Sequence, residues 1–389
     1  MIVSEFAATT TVSEPALRIG LLSDLHLNLK YDDFMGPRVD AEGDCWATSG
    51  TPTDVQAPMG RYGCDPPASL IETMLDAFND HHGKQDVIFL TGDFIAHHTA
   101  LKDDLYPEGA SIATQMETHM LLIEMLAEKF PDTLILPQFG NNDCEYHDNP
   151  EPLEDDKLFY EFIYDLWFDM LPGNKNSEIL TPQLDKIKET FHYGGFYRVD
   201  LTDEVSVLAI NTLFYDSERS DDIDTAPKGK AQLDWFEAQF AQDSTRKFIP
   251  ISHVYAGTRY GDFELWNKSA AERYFKILEM HTNQVVMEFS GHDHFSSLRA
   301  HREEYKDKYH NIFIAPSITP WYYNNPGVTS LVLSEDLVPH NLQSTFLNLN
   351  TTYGQDEPLP YEQLEFRWLD YSEQWGVDEL TSKDIYQFS

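Results

Sequence analysis

Five groups of polar side chains stand where apolar runs of the sequence end, and their types are those of metal ligands. Each motif alone is weak, because a D-x-H segment is more often a turn and a single His such as His253 is more often a packed or surface residue. Five groups in this order, each at the end of a β-run, make coincidence improbable and indicate a metal site. The candidate ligands are Asp24 and His26 in SDLH, Asp93 in TGD, Asn141 in GNND, His253 in ISHVY, and His292 with His294 in SGHDH.

These residue types suit cations that accept both nitrogen and oxygen ligands. In a D-x-H segment at a strand end, alternate side chains point the same way, so Asp24 and His26 can bind one metal, and so can the two histidines of GHDH. The carboxylate of Asp93 can bridge two cations, and Asn141 offers a neutral carbonyl oxygen. Such a mixture without thiolate favours Zn, Mn or Fe. Two metals about 4 Å apart would hold the attacking and leaving oxygens of a phosphoryl group.

The elements that must position these ligands alternate between short apolar strands and amphipathic helices. The segments ALRIGLLSD, DVIFLTGD and DTLILPQFGNND are predicted strands, and PPASLIETMLDAFNDHH and SIATQMETHMLLIEMLAEKF are predicted helices. This βαβαβ order predicts parallel pairing with the helices outside. Ligands in open α/β sheets bind beyond the carboxyl ends of the strands, so the five groups can converge there.

The second half of the chain repeats this alternation. GGFYRVDLTDEVSVLAINTLFY predicts a hairpin, GKAQLDWFEAQFAQ and ELWNKSAAERYFKILEMH predict helices, and RKFIPISHVY and QVVMEFSGHDHF predict strands. Later β-rich segments lead into a polar tail that is rich in aromatic residues. His81 and His82 are expected at a solvated helix end. Trp321, Tyr322 and Tyr323 either line a pocket or serve packing, since both uses are equally common in such a loop.

The charge of the chain is strongly negative, with 66 acidic and 27 basic residues and a net charge of −39 among 389 residues. Such a surface repels nucleic acid and anionic membranes, so neither is an expected partner. A small phosphorylated substrate can still bind where metal ions reverse the local field. We find no transmembrane segment and no signal peptide in the sequence. We therefore expect either a cytosolic protein or one whose leader was removed, and a monomer in either case.

The ordered set D-x-H, GD, GN-x-D, H and GHDH resembles the calcineurin-like metallophosphoesterases from Arg18 to about Phe295. The segments RYGCDPPASLIETML, TGDFIAHH, QLDWFEAQF and APSITPWYYNNPG further resemble the acid sphingomyelinase-like phosphodiesterase branch. The resemblance implies a four-layer α/β/β/α sandwich. We expect an N-terminal extension over 1–17, a catalytic domain over 18–360 with a helical cap at about 149–195, and a C-terminal tail over 361–389 that packs on the catalytic domain.

The resemblance also divides the ligands between two metals. One metal takes Asp24, His26, Asp93 and His294, and the other takes Asp93, Asn141, His253 and His292. The iron-tyrosine variant of the superfamily has a tyrosine just after its GD motif, where this sequence has Phe94. We therefore expect two Zn²⁺ ions, with Mn²⁺ or Fe as alternatives.

The three cysteines contain no CxxC pair, and Cys45 and Cys64 could be bridged across a Gly/Pro-rich loop. In the resembling branch, the cysteine of YGCD is bridged to one in the loop before it, which fits this pair and leaves Cys144 over. Such a bridge implies an oxidising compartment, so a secreted or lysosome- or vacuole-like location is expected, with the cytosol as the alternative.

In this family the residue after the metal-binding Asn is normally His, near the leaving oxygen, but here it is Asn142. An amide cannot be a general acid, although it can donate a hydrogen bond to a phosphoryl oxygen. The branch has another His that faces the phosphate, and it corresponds to His97 in GDFIAHH. We therefore expect His97 to protonate the leaving group, and we expect a tilt towards phosphoanhydrides, whose leaving groups need less help.

The resemblance implies a two-metal hydrolase of phosphodiester or phosphoanhydride bonds, in which a metal-bridging hydroxide attacks phosphorus in line. Nucleotide-type or choline-type small molecules are the expected substrates. GNND also resembles the endopolyphosphatase relatives, so a polyphosphate hydrolase is an alternative, and a sphingomyelin phosphodiesterase is another. A pseudoenzyme that binds metal and a phosphorylated ligand, with Asn142 marking lost catalysis, is the alternative of a different class.

Overall fold

The computed structural model describes residues 17–38, 45–99, 112–144, 146–150, 156–217, 223–259, 263–302 and 309–376. The expected N-terminal extension lies outside these residues except for its last position, and so does the end of the expected tail beyond 376. Across the described residues, no helix is both long enough and apolar enough to cross a membrane.

The strands fall into two large sheets and two short hairpins. In chain order they are β1 (Leu17–Leu22), β2 (Met35–Gly36), β3 (Thr51–Pro52), β4 (Val87–Leu90), β5 (Leu134–Pro137), β6 (Tyr197–Asp200), β7 (Val205–Ala209), β8 (Lys247–Ile251), β9 (Thr258–Arg259), β10 (Phe263–Glu264), β11 (Glu288–Ser290), β12 (Ser297–Arg302), β13 (Tyr309–Ile314), β14 (Gly327–Leu333), β15 (Pro339–Leu347) and β16 (Phe366–Asp370).

The helices follow the predicted segments closely in the core of the fold. They are α1 (Ala68–His82), α2 (Ile112–Lys129), α3 (Asp156–Tyr164), α4 (Pro172–Lys175), α5 (Leu184–Gly194), α6 (Pro227–Gln242), α7 (Lys268–Met280) and α8 (Tyr371–Trp375). Asn267 caps α7, since its side chain accepts a hydrogen bond from the backbone N–H of Ala270. The cap explains why α7 begins four residues later than the predicted segment, which starts at Glu264.

Two six-stranded sheets carry the site. The first has the order β16-β15-β14-β1-β4-β5, and β1, β4 and β5 run parallel, as the βαβαβ pattern predicts. The second has the order β12-β13-β11-β8-β7-β6, with parallel pairing from β7 to β13 and antiparallel edges. The predicted hairpin is the pair β6 and β7. Both sheets therefore have parallel central strands whose carboxyl ends can form one site.

The core lies between the two sheets. Phe89 of β4 and Phe289 of β11 face each other with ring centroids 5.9 Å apart, inside one buried apolar cluster. The helices α1 and α2 cover the outer face of the first sheet, while α6 and α7 pack on the second, where the rings of Phe240 and Phe248 lie 4.8 Å apart. Strands covered on both sides are apolar throughout, as in VIFL and LILP. The resulting order of layers is helix, sheet, sheet and helix, the α/β/β/α sandwich that the resemblance implies.

The connection from β5 to β6 contains α3 to α5 and joins the two sheets. Its buried Asn174 satisfies the edge of β5: the side chain donates to the carbonyl oxygen of Ile135 at 2.6 Å and accepts from its N–H at 2.8 Å. Trp167 from the same connection packs against Phe94, with ring centroids 4.9 Å apart. Through this contact the helical segment packs against the loop that carries Asp93.

Two strands were not predicted from the sequence. Phe366–Asp370, in the polar tail, forms β16 and pairs with residues 343–347 of β15. Ser297–Arg302 forms β12 and pairs with the whole of β13. In both cases pairing with the neighbouring strand in the sheet, rather than a local sequence signal, decides the conformation.

The predicted disulfide is confirmed. Cys45 and Cys64 are bonded with their Cα atoms 5.7 Å apart, and Cys144 is a buried free thiol. Beside the bridge, the N–H of Gly63 donates to the carbonyl oxygen of Pro320 at 3.0 Å. The bridge therefore fixes the segment that leads into Asp65 against the loop of Trp321.

Candidate metal centre

The loops that follow the strands hold their polar residues in an uncommon backbone conformation. Five of the predicted ligands have φ between 47° and 77°, the left-handed region that costs a residue with a side chain about 1 kcal/mol or more. They are Asp24, His26, Asp93, His292 and His294. Strain of this kind persists only where the surrounding structure enforces it, and it concentrates at functional sites.

Glycines allow two of these loops to approach closely. Gly92 has φ of +99°, and a Cβ there would lie 2.6 Å from the backbone nitrogen of Gly140. A Cβ on Gly140 would in turn overlap the carboxylate of Asp93. Each position therefore requires glycine, and the GD and GN motifs owe their first residue to this contact.

The first predicted ligand group converges. The donor atoms of Asp24, His26, Asp93 and His294 all lie within 4.8 Å of one another, and all four side chains are buried. Nε2 of His26 is 3.2 Å from Oδ2 of Asp93, and Nε2 of His294 is 3.4 Å from Oδ1 of Asp24. Nδ1 of His26 faces the carbonyl oxygen of Ile95 at 3.0 Å, which orients the ring.

The second predicted group converges beside the first. Nε2 of His253 lies 3.0 Å from Oδ1 of Asn141 and 3.2 Å from Oδ2 of Asp93. Nδ1 of His292 is 3.2 Å from the same oxygen of Asn141. Oδ2 of Asp93 is thus 3.2 Å from both His26 and His253, between the two groups. All seven predicted ligands therefore lie close together, with Asp93 between the two groups.

The residues present fit a divalent cation. Within the described part of the chain, the buried Nε2 of His26 makes no hydrogen bond, although it lies 3.2 Å from Oδ2 of Asp93. Buried polar atoms normally have partners, and an unsatisfied imidazole nitrogen beside a buried carboxylate is an arrangement that a metal ion satisfies. The donors are nitrogen and oxygen only, which suits Zn, Mn or Fe.

The electrostatics of the site are dominated by Asp93. Burial would raise its pKa, but the adjacent His253 and His26 hold the pKa of Asp93 well below its ordinary value. Burial alone would lower the pKa of His253, but Asp93 raises it to about 9. Burial raises the pKa of Asp24 to about 6. Asp93 therefore stays ionised at the centre of the site. Bound cations would displace the protons of the neighbouring imidazoles.

Asp143, the acid of GNND, was given no separate role by the sequence. Its carboxylate accepts hydrogen bonds from the backbone N–H groups of Asp93 at 2.7 Å, Phe94 at 2.6 Å and Gly140 at 2.8 Å. Burial, and next to it the charge of Asp93, raises the pKa of Asp143 to about 7. Asp143 therefore ties the GD loop to the GN loop. The signal was present in the GN-x-D spacing, but the partners are 49 and 50 residues away.

Asn142 donates hydrogen bonds to the carboxylate of Asp93. Its backbone N–H donates to Oδ1 of Asp93 at 2.8 Å, and its side-chain Nδ2 donates to Oδ2 at 2.9 Å. The amide therefore orients Asp93. This is a second use for the residue, beside the hydrogen bond to a phosphoryl oxygen that the sequence suggested.

His97 is clamped on three sides. Asp65 accepts its backbone N–H at 2.7 Å and lies 3.1 Å from its Nδ1. The ring stacks on His26 with centroids 3.9 Å apart and on Trp321 with centroids 3.8 Å apart. Burial, followed by the charge of His26, lowers the pKa of His97 to about 4, although Asp65 acts in the opposite direction. Asp65 was missed by the sequence analysis, which noticed the CDPP segment only for its resemblance.

A cavity of about 340 Å³ opens on this cluster, a size that suits a small ligand. Asp93, Asn142 and His97 line it on the metal side. Trp321 and Tyr322 line it as well. From the sequence alone, a pocket and a packing role were equally expected for the aromatic residues of this loop, and these two line the pocket. Tyr323 is 66% exposed and is not among the lining residues. A small molecule in this cavity would lie beside the ligand groups.

A family model described as calcineurin-like phosphoesterase matches residues 17–296. The chain is 25% identical to human acid sphingomyelinase-like phosphodiesterase 3b, over 94% of this chain and 77% of that protein. It is 24% identical to cyclic GMP-AMP phosphodiesterase from Bos taurus, over 92% and 77%. It is also 25% identical to sphingomyelinase phosphodiesterase D from Dictyostelium discoideum, over 69% of this chain but only 57% of that relative.

Proposed function

We propose that this chain, which belongs to the calcineurin-like phosphoesterase family, is a metal-dependent hydrolase of phosphodiester or phosphoanhydride bonds in small molecules. The observation that carries the proposal is the convergence of seven ligand side chains from five strand ends around Asp93. Relatives with similar sequences are named phosphodiesterases, which supports the same reaction class.

The ligand groups would hold two divalent ions, and we favour Zn²⁺. Members of this family use a binuclear metal centre, and the buried His/Asp cluster supports one here. Bound ions supply Lewis-acid stabilisation of the phosphoryl oxygens and activate the attacking water. Asp93 would contribute to both positions, and Asn142 and Asp143 keep Asp93 and its loop in place. Trp321 lines the cavity next to them.

His97 is the side chain proposed to protonate the leaving group. Its Nδ1 faces Asp65 and carries a proton there, so only the doubly protonated ring has a proton on Nε2 to give to the leaving group. Its low pKa makes the doubly protonated form scarce at neutral pH. Help from His97 is therefore limited at neutral pH, which is sufficient for a leaving group that is already stable as an anion. This supports phosphoanhydrides and nucleotides over simple alkyl esters.

The confirmed disulfide supports maturation in an oxidising compartment. We therefore favour a secreted or lysosome-like protein, acting as a monomer on a soluble substrate.

The test is a substrate panel combined with metal analysis. The purified protein should contain about two equivalents of metal and should hydrolyse bis-p-nitrophenyl phosphate together with at least one of ATP, CDP-choline and polyphosphate. Sphingomyelin in the same panel separates a lipid phosphodiesterase from a nucleotide enzyme. A control treated with chelator should lose both the metal and the activity.

One observation favours a second candidate. The position that normally holds a histidine acid in this family holds Asn142, whose amide does not titrate and donates a hydrogen bond to Asp93. A metallated protein that binds phosphate but leaves every member of the panel intact would identify a phospho-ligand-binding pseudoenzyme and would end the hydrolase proposal.

A further inference from the structure

Arg259 is the one lysine or arginine among the cavity-lining residues of the described chain. The other charged groups on the wall include Asp148 and Asp216, and the protein as a whole carries a net charge of −39. The positive charge of Arg259 therefore lies among acidic groups, both at the cavity and over the protein as a whole. The sequence analysis gave Arg259 no role, because it lies in a short strand without a motif.

The arginine is fixed from the metal side of the cavity. Its Nε lies 2.9 Å from Oδ1 of Asp293, the residue between His292 and His294 in GHDH. Asp293 is itself held, since Tyr255 donates its hydroxyl to Oδ2 at 2.8 Å. The contact between Arg259 and Asp293 is an ion pair in which Nε makes no hydrogen bond, and the guanidinium also interacts with the side chain of Tyr322. With five N–H donors in all, Arg259 retains donors for a ligand at the cavity wall.

One aromatic residue of the cavity, Tyr322, lies against this cation. The guanidinium carbon of Arg259 lies 5.4 Å from the ring centroid of Tyr322, and the ring of His294 lies 4.8 Å from the same ring. Trp321 stacks on His97. A quaternary ammonium such as choline needs aromatic faces free of other cations. The cationic partner of Tyr322 is already part of the protein, which disfavours a choline headgroup and favours an anion.

The geometry points to Arg259 as the residue that binds a second, non-scissile phosphate, so that the preferred substrate class is a phosphoanhydride. This inference rests on the proposed hydrolase function. In the reaction, the oxygen of water forms a bond to one phosphorus, the bond from that phosphorus to the bridging oxygen breaks, and the bridging oxygen leaves on the second phosphate. That phosphate, paired with Arg259, carries the electron pair away, and one proton passes to solvent. Arginine suits this task because its fork matches a phosphate.

The test compares Arg259→Gln with wild type on ATP and on bis-p-nitrophenyl phosphate, which has a single phosphate. The ratio of kcat/KM for ATP to that for bis-p-nitrophenyl phosphate should fall about 10- to 100-fold, the worth of one hydrogen-bonded charge pair. Arg299→Gln is the matched control, because Arg299 also contacts Asp293, at 3.5 Å, but is not among the lining residues. In that variant the ratio should stay unchanged.

A second arm does not depend on turnover. Calorimetry on the metallated protein should show tighter binding of pyrophosphate than of phosphate, and Arg259→Gln should reduce that difference by a similar factor. Competition experiments with inorganic polyphosphate and with ATP then show whether the site binds the paired phosphates of a polyphosphate chain or those of a nucleotide more tightly.

Three outcomes are decisive. Equal losses on both substrates, with lower metal content, would mean that Arg259 only positions Asp293, and this would overturn the inference. A pyrophosphate preference that survives in Arg259→Gln would overturn it as well. If wild type cleaves no member of the substrate panel, the hydrolase proposal fails by itself, while the pyrophosphate binding still decides the role of Arg259.

Discussion

Asp65 holds His97 at two points: its carboxylate accepts the backbone N–H of His97 at 2.7 Å and lies 3.1 Å from Nδ1 of the ring. The pairing selects the tautomer, because Nδ1 must carry the proton that faces the carboxylate or share it with Asp65. Thr319 donates to the same carboxylate at 2.8 Å, so Asp65 also joins two loops. The disulfide at Cys64 stands next to it in the chain. The placement of the proposed acid thus depends on residues far from the metal motifs.

His97→Ala tests the proposed acid. The rate for substrates with poor alcohol leaving groups should fall by about 10²- to 10⁴-fold, the usual worth of a general acid. Substrates that release p-nitrophenolate should lose much less, because that group departs without a proton. His98→Ala is the control on the same wall. Equal losses for both leaving groups would mean that His97 binds phosphate and transfers no proton.

Asp65→Asn tests the positioning of His97. An amide can still accept the backbone N–H but cannot stabilise a protonated ring, so the effect should follow the leaving group as in His97→Ala, at about 10- to 100-fold. Kinetics on the same pair of substrates measure it. An Asp65→Asn protein with wild-type rates on poor leaving groups would show that the contact serves packing alone.

The disulfide should contribute to stability. Its loop of 19 residues corresponds to about 3 kcal/mol of unfolding free energy in the chain-entropy account. Cys45→Ser should therefore lower the free energy of unfolding by about that amount in denaturant titrations. In the wild type, alkylation under denaturing conditions without reductant should tag Cys144 alone, and three tagged thiols would contradict the bridge.

His82 should make stability dependent on pH. The sequence placed it at a solvated helix end, which is wrong, since the ring contacts Ser330 at 2.8 Å and Thr345 at 3.2 Å and stacks on Trp368. Burial, and then His81, lowers the pKa of His82 from 6.5 to about 4. The unfolded chain binds the proton more readily, so stability is complete above pH 6.5 and is lost as the pH falls towards 4.

The loss assigned to His82 is about 3 kcal/mol over that interval. Unfolding titrations of wild type and His82→Gln across the interval measure it, because the variant lacks the titrating ring and should show a shallower decline. Parallel pH profiles of the two proteins would assign the acid sensitivity to other groups.

The ligands could be predicted because each follows a strand, and the ends of strands can be recognised in the sequence from their apolar runs. Asp24, Asp93 and His253 come within a few residues of apolar runs, and parallel pairing brings those ends together. The helices could be predicted for the same reason, since their apolar periodicity is local. The disulfide pairing came from the resemblance of YGCD and was confirmed.

The remaining features depend on contacts between distant residues. Asp65 reaches His97 across 32 residues, and Asp143 reaches Phe94 across 49. The GN-x-D spacing marks Asp143 but not its partners, and Asp65 has no local signature, since a single Asp in a turn is ordinary turn chemistry. The strand β16 and the burial of His82 have a common cause as well: the tail adds Trp368 over the end of α1, and only the tertiary structure shows it.

The proposed mechanism requires Asp93 to bridge two metal ions. An anomalous-scattering map from crystals of the metallated protein can show this. Two peaks are expected about 4 Å apart, one contacted by His26 and His294, the other by Asn141, His253 and His292, with Asp93 between them. An empty map at Asp93 in protein with a full metal complement, or peaks only at other places in the molecule, would contradict it.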